Sequence, residues 1–152
     1  MIKLDYEQTK ELIHKNIVVP ITKQWCNAHN QRHILLFAIP KSGYAVTSII
    51  LSEWADFFKI TTNALEADFI IDDIIDSGAT KEKYERQFGK KVYAIVDKTI
   101  DKSYEDKWVI FPFDKPIADN EETILYRLLQ FFNKKINKDN INKIKDYVST
   151  IT

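Results

Sequence analysis

Asp68-Phe-Ile-Ile-Asp-Asp-Ile-Ile-Asp-Ser-Gly-Ala-Thr80 is the stretch on which the fold turns. Ile70 and Ile71 are β-branched and suit a strand covered on both faces. Asp72 and Asp73 are then expected where that strand ends, the place at which open α/β sheets hold ligands. Asp76-Ser-Gly-Ala-Thr80 reads as a turn of small residues opening a helix. Its amides can converge on an anion, and the positive end of the helix dipole adds to them. Carboxylates for hydroxyls or a metal thus stand beside a cradle for phosphate, a combination that suits a phosphorylated sugar.

Outward from this stretch, apolar runs alternate with helical spacing. His33-Ile-Leu-Leu-Phe-Ala-Ile39 is a strand-length run stopped by Pro40. Gly43 is expected in a tight loop after it. Val46, Ile49, Ile50 and Trp54 then mark a helix over residues 44–58. A second helix is expected from about Thr80 to Phe88, closed by Gly89. Lys91-Val-Tyr-Ala-Ile-Val96 is another strand. Lys107-Trp-Val-Ile-Phe-Pro-Phe113 is a shorter one, at or near an edge because Pro112 cannot donate. Before all of these, residues 6–15 and 21–29 read as two separate helices. Asp119 and Glu122 suggest a capping box for a helix through Phe132. The resulting order, strand–helix–strand–helix–strand, predicts an α/β fold with a mainly parallel, Rossmann-like central sheet flanked by helices.

The chain has 152 residues, enough for one domain with a real core. Hydrophobic content of 45% and charged content of 29% are those of a globular protein rather than a disordered one. The formal net charge is zero, which gives no general attraction to nucleic acid or anionic membrane. Cys26 is the single cysteine, so an internal disulfide and a multi-cysteine zinc site are excluded. With no signal-peptide pattern at the start and no membrane-length apolar run, a cytoplasmic location is expected. His29 and His33 lie four apart, but no carboxylate or cysteine nearby completes a metal set. The lysine-rich residues 134–152 read as a last helix or tail on the core, not as a nucleic-acid patch, because no aromatic platform or arginine cluster accompanies them. Trp25 and Trp54 are expected in the core or at a subunit interface.

Between Lys59 and Lys81 there is no basic residue, while Glu66, Asp68, Asp72, Asp73 and Asp76 all lie there. Adjacent carboxylates repel each other, and would repel a polyphosphate, unless a cation intervenes. Mg²⁺ answers both needs with hard oxygen ligands. A pair of aspartates can also simply cap a turn.

The run Ile70-Ile-Asp-Asp-Ile-Ile-Asp-Ser-Gly-Ala-Thr80 resembles the phosphoribosyl-pyrophosphate motif of the type I phosphoribosyltransferases. The resemblance implies that Asp72 and Asp73 hold the ribose hydroxyls and that Asp76, Ser77, Gly78, Ala79 and Thr80 surround the 5′-phosphate. Three more segments are similar to the purine-using branch. Pro40-Lys-Ser-Gly-Tyr44 corresponds to the pyrophosphate loop, with Lys41, Ser42 and Gly43 on the leaving group, commonly beside a cis peptide. Ser42 stands where that branch usually has glycine. Lys98 corresponds to the lysine on the purine 6-oxo group, and Trp108-Val-Ile-Phe-Pro-Phe-Asp114 to the base-binding segment. There Trp108 would stack on the base, Val109 and Ile110 would read its edge through their backbone, and Asp114 would meet the 2-substituent or a metal. Taken alone, Trp108 reads as a core aromatic and Lys98 as a surface lysine; their shared order after the acidic motif favours the functional reading.

What the resemblance implies is transfer of a phosphoribosyl group from phosphoribosyl pyrophosphate to a 6-oxopurine. Mg²⁺ would be held by Asp72, Asp73 and Asp114, and Asp76 would be the base or, alternatively, a cap of the phosphate turn. A homodimer or higher homo-oligomer is expected. The chain departs from the family between Ile60 and Asp68, where only seven residues stand in place of a long mobile loop. Seven extended residues span at most about 25 Å, too little for a strand pair and a lid. A regulator that binds phosphoribosyl ligands without turnover is therefore a second expectation. An unrelated flavodoxin-like or response-regulator domain explains neither the Ser77–Thr80 turn nor the Trp108 segment.

Overall fold

The computed structural model describes residues 1–26 and 32–114. His29, the 119–132 helix and the lysine-rich 134–152 segment lie outside the described residues. Four parallel strands form the main sheet: β2 (Ile34–Ala38), β3 (Phe58–Ile60), β4 (Phe69–Ile75) and β5 (Val92–Asp97), in the order β3-β2-β4-β5. α3 (Ser42–Trp54) carries the chain from β2 to β3, and α4 (Ala79–Phe88) carries it from β4 to β5. The α/β fold with a parallel sheet flanked by helices is the one expected.

The strands are apolar on both sides because both sides are covered. On one side Ile71, Ile95 and Leu36 meet Ile13, Ile17 and Ile21 of the N-terminal helices and Val46 and Ile50 of α3. On the other side Ile70, Ile75, Val92 and Ala94 meet Tyr84 and Phe88 of α4. Burying such side chains is worth about 1.5–3 kcal/mol each.

Several local expectations are corrected. The two N-terminal helices are joined: α1 (Tyr6–Ile13) passes through a π-helical turn (His14–Val18) into α2 (Val19–Cys26). Pro20 has no N–H to give to a helical ladder, and the wide turn, in which the Val19 N–H reaches His14 O, shifts the register around it. α3 begins at Ser42, so Gly43 lies inside its first turn and not in a loop. A Cβ at Gly43 would run into the carbonyl oxygen of Ile71, so its absence is what lets α3 approach β4. Phe58, placed in the helix by its spacing, instead opens β3 and is 1% exposed.

At the far end of the described chain, only β6 (Val109–Ile110) forms within residues 107–113. It pairs in parallel with β1 (Ile2–Lys3), a strand with no visible sequence pattern, in a separate two-stranded sheet. Among the described residues no helix is long and apolar enough to cross a membrane.

Candidate functional site

β4 does not stop at the acidic pair but continues to Ile75. The pair does break its regularity. Ile70 and Ile75 pack in one core, while Ile71 and Ile74 pack in the other. Strict two-residue alternation would pair Ile70 with Ile74. At the break, Asp72 Oδ1 accepts the Asp73 N–H (2.9 Å) and Asp73 Oδ1 accepts the Ile74 N–H (2.7 Å).

Two groups of expected site residues come together around this strand end. In the first, the Ser42 hydroxyl donates to Asp72 Oδ1 at 2.6 Å, beside the Gly43–Ile71 approach. Lys41 immediately before it is exposed and already helical, with φ −56° and ψ −31°. The peptide bonds of the described residues are all trans, so the cis bond implied beside Lys41 is absent. The Gly43 N–H donates to Ile39 O, and this first helical turn sets the loop instead.

In the second group, Gly78 takes a left-handed conformation (φ 88°) and turns the chain into α4, with the Ala79 N–H donating to Ser77 Oγ (3.3 Å). The loop after β5 closes on this turn. Thr99 lies against Gly78, and the Lys98 ammonium is 3.2 Å from Asp76 Oδ1. Lys98 is 3% exposed, whereas the Asp76 side chain is half exposed. Ser77, Gly78, Ala79 and Thr99 line an open cleft of about 640 Å³ together with Lys81, Arg86, Glu82 and Glu85. The first-turn amides of α4 open onto this cleft at the positive end of the helix dipole, while its two basic side chains are paired with Asp97 and Glu82. Lys81, from its lining, forms an ion pair with Asp97 at 3.1 Å. The sequence reading missed this pair; its signal was an aspartate at the end of a strand, directly before Lys98.

The acidic pair is not symmetric. Asp72 is 6% exposed, while Asp73 is half-buried. Burial pushes the Asp73 carboxyl up to about 7. The charge and hydrogen bond of Asp72 add to the rise, the Ile74 amide opposes it, and the charge of Asp114 reinforces it. Asp114 Oδ2 accepts the Phe111 N–H at 2.7 Å. Among the described residues no three His, Cys, Asp or Glu side chains converge as a complete metal shell. A partial shell fits Mg²⁺, which takes one or two carboxylates and completes its octahedron with ligand and water oxygens. Asp73, whose anion is disfavoured by its surroundings, is the donor that such an ion would relieve.

The Trp108 segment is placed differently from the expected base platform. The Val109 side chain is buried in the core. Trp108 O accepts the Ile2 N–H (2.8 Å) and Ile110 O accepts the Leu4 N–H (2.9 Å). The Ile110 carbonyl is therefore engaged by Leu4, directly after β1, while the Trp108 side chain is half-buried. A smaller, more enclosed cleft of about 290 Å³, not lined by Asp72 or Asp73, lies along β5 between Lys15, Asn16, Lys91 and Asp101. It shares only Lys81 and Glu85 with the turn cleft.

A comparison with protein-family models finds none that matches the chain, and a comparison with curated proteins finds no match either.

Proposed function

We propose that the chain transfers a phosphoribosyl group from phosphoribosyl pyrophosphate to a 6-oxopurine and releases pyrophosphate. The observation that carries this reading is the meeting of the Gly78 turn with Lys98. It brings a helix start, a carboxylate and a buried ammonium together at the ends of β4 and β5, near the acidic pair. The 5′-phosphate would sit on the Ser77–Thr80 amides. Asp73, with Asp72 and Asp114 near it, would hold Mg²⁺ arriving with the substrate; bound there, the ion offsets negative charge on the carboxylates and the pyrophosphate. Lys41 would steady the leaving pyrophosphate. The C1–oxygen bond of the ribose breaks, a purine nitrogen bonds to C1, and the nitrogen's proton passes to Asp76. Lys98 would meet the purine 6-oxo group, and its ion pair with Asp76 would orient that carboxylate for the transfer.

The test is incubation of the full chain with phosphoribosyl pyrophosphate, MgCl₂ and each purine in turn, with nucleotide and pyrophosphate both measured. Equal amounts of the two products are expected from at least one 6-oxopurine. Asp76→Asn should lower turnover about a hundredfold or more, the usual scale for a lost general base. Absence of product with every purine would sink the transferase reading.

One observation favours a second reading. The connection from β3 to β4 is tied down at both ends, by Thr61 N–H to Leu36 O (2.9 Å) and Asp68 N–H to Leu35 O (2.8 Å). It supplies no lid over the site. Tight binding of phosphoribosyl pyrophosphate without product would mark a regulatory binding protein.

A further inference from the structure

The two aspartates of the pair differ in what they touch, and the difference assigns them different work. Asp72 is almost completely enclosed, and its Oδ1 is already used twice, by the Ser42 hydroxyl at 2.6 Å and the Asp73 amide at 2.9 Å. Ser42 belongs to the first turn of α3, and Asp72 to the neighbouring strand β4. Their hydrogen bond therefore ties the segment that carries Lys41 to the strand that carries Asp73. A hydrogen bond from a hydroxyl to a carboxylate is among the stronger kinds. A glycine at position 42 could not make it.

We propose that Ser42 and Asp72 form a positioning strut between the Lys41 segment and β4, and that Asp73 is the member of the pair that meets the sugar and its metal ion. This rests on the phosphoribosyl reading for its ligands, but the strut itself can be measured without them. Its consequence is a mechanical link between the two halves of the site. The half that holds pyrophosphate stays in register with the half that holds the sugar only while the strut is intact.

The experiment uses the full chain and calorimetric titration with magnesium pyrophosphate and, separately, with ribose 5-phosphate and Mg²⁺. Ser42→Ala should weaken pyrophosphate binding about tenfold, and Ser42→Thr, which keeps a hydroxyl, should recover most of that loss. Asp72→Asn keeps an acceptor oxygen and should lose several-fold less affinity than Asp72→Ala. Asp73→Asn should lose as much ribose 5-phosphate affinity as Asp73→Ala. An Asp72→Asn loss of ribose 5-phosphate binding equal to that of Asp73→Asn would overturn the assignment, because Asp72 would then face the sugar itself.

Should the parent chain bind neither ligand, the phosphoribosyl reading fails and the strut is judged by thermal unfolding. Ser42→Ala and Asp72→Ala combined should then cost little more than the larger of the two alone. Simple additivity of the two would overturn the strut.

Discussion

β4 carries aspartates at both ends, and the two ends treat them in opposite ways. Asp68, just before the strand, accepts two hydrogen bonds from Arg32 at 3.0 Å each and a third from the Leu35 amide at 2.8 Å. Arg32 also lies over the Trp25 ring, 4.7 Å from its centroid. Four and five residues on, no arginine or lysine ion pair accompanies Asp72 or Asp73 among the described residues. Asp73 is instead crowded by burial and by two further carboxylates. One end of the strand is a finished structural joint; the other holds a carboxylate pair that no arginine or lysine neutralises among the described residues. An acid left in that condition at the carboxyl end of a parallel sheet is a candidate site.

The comparison breaks most visibly if the site end is pushed apart. Gly43→Ala would place a methyl against the Ile71 carbonyl, a backbone atom that cannot rotate away. A loss of about 4 kcal/mol is expected, in the upper range for single substitutions. Denaturant unfolding measures it. A loss below about 1 kcal/mol would show that α3 does not sit tightly on β4.

Next in size is Asp73→Asn, which should stabilise the chain. Its folded-state carboxyl is raised to about 7, whereas in the unfolded chain it returns to about 3.9. Between these values the folded state keeps a proton that the unfolded state has released. Stability therefore falls as pH rises through that window and levels off above it. Asn removes this dependence. At pH 8 the variant should exceed the parent by on the order of 3 kcal/mol, with the gap shrinking toward pH 4. The same exchange removes the donor proposed for the metal, so ligand binding should fall while stability rises. A variant that loses both would place Asp73 with Asp68, as a structural acid.

Asp68→Ala should do the reverse of Asp73→Asn. It leaves the part-buried Leu35 amide and the Arg32 guanidinium without their acceptor, at a cost of about 2 kcal/mol. Ligand affinity should hardly change, since Asp68 lies at the opposite end of the strand from the Gly78 turn.

Much of this was legible in the sequence, and the reasons differ by region. β2, β4 and β5 are doubly covered strands and so read as unbroken apolar runs. α4 is bounded by Gly78 and Gly89, which announce themselves as turn and cap. β1 and β6 have two residues each, too few for any period to show. β3 was hidden because Phe58 continues the apolar spacing of the helix before it. At the site, the acidic pair and its turn were visible because they are contiguous. The Ser42–Asp72 bond and the Lys81–Asp97 pair were not, because each joins residues that only the folded sheet makes neighbours. The two N-terminal helices read as separate in the sequence; the π-helical turn before Pro20 shows how the chain joins them.

The smallest effect belongs to Arg32→Ala, and it tests which part of the finished joint matters. The Arg32 side chain is 53% exposed and that of Asp68 is 15% exposed. The guanidinium therefore interacts partly through water, where salt screens it. The Leu35 amide is shielded and cannot turn to solvent without disturbing the start of β2. Arg32→Ala should accordingly lower the melting temperature by less than half as much as Asp68→Ala, and the difference from the parent should shrink further in about 0.5 M NaCl. An equal drop for the two variants would make the guanidinium, not the amide, the partner that Asp68 exists to hold. The contrast between the strand's two ends would then rest on charge neutralisation alone, and adding an arginine beside Asp73 would be enough to turn a site into a joint.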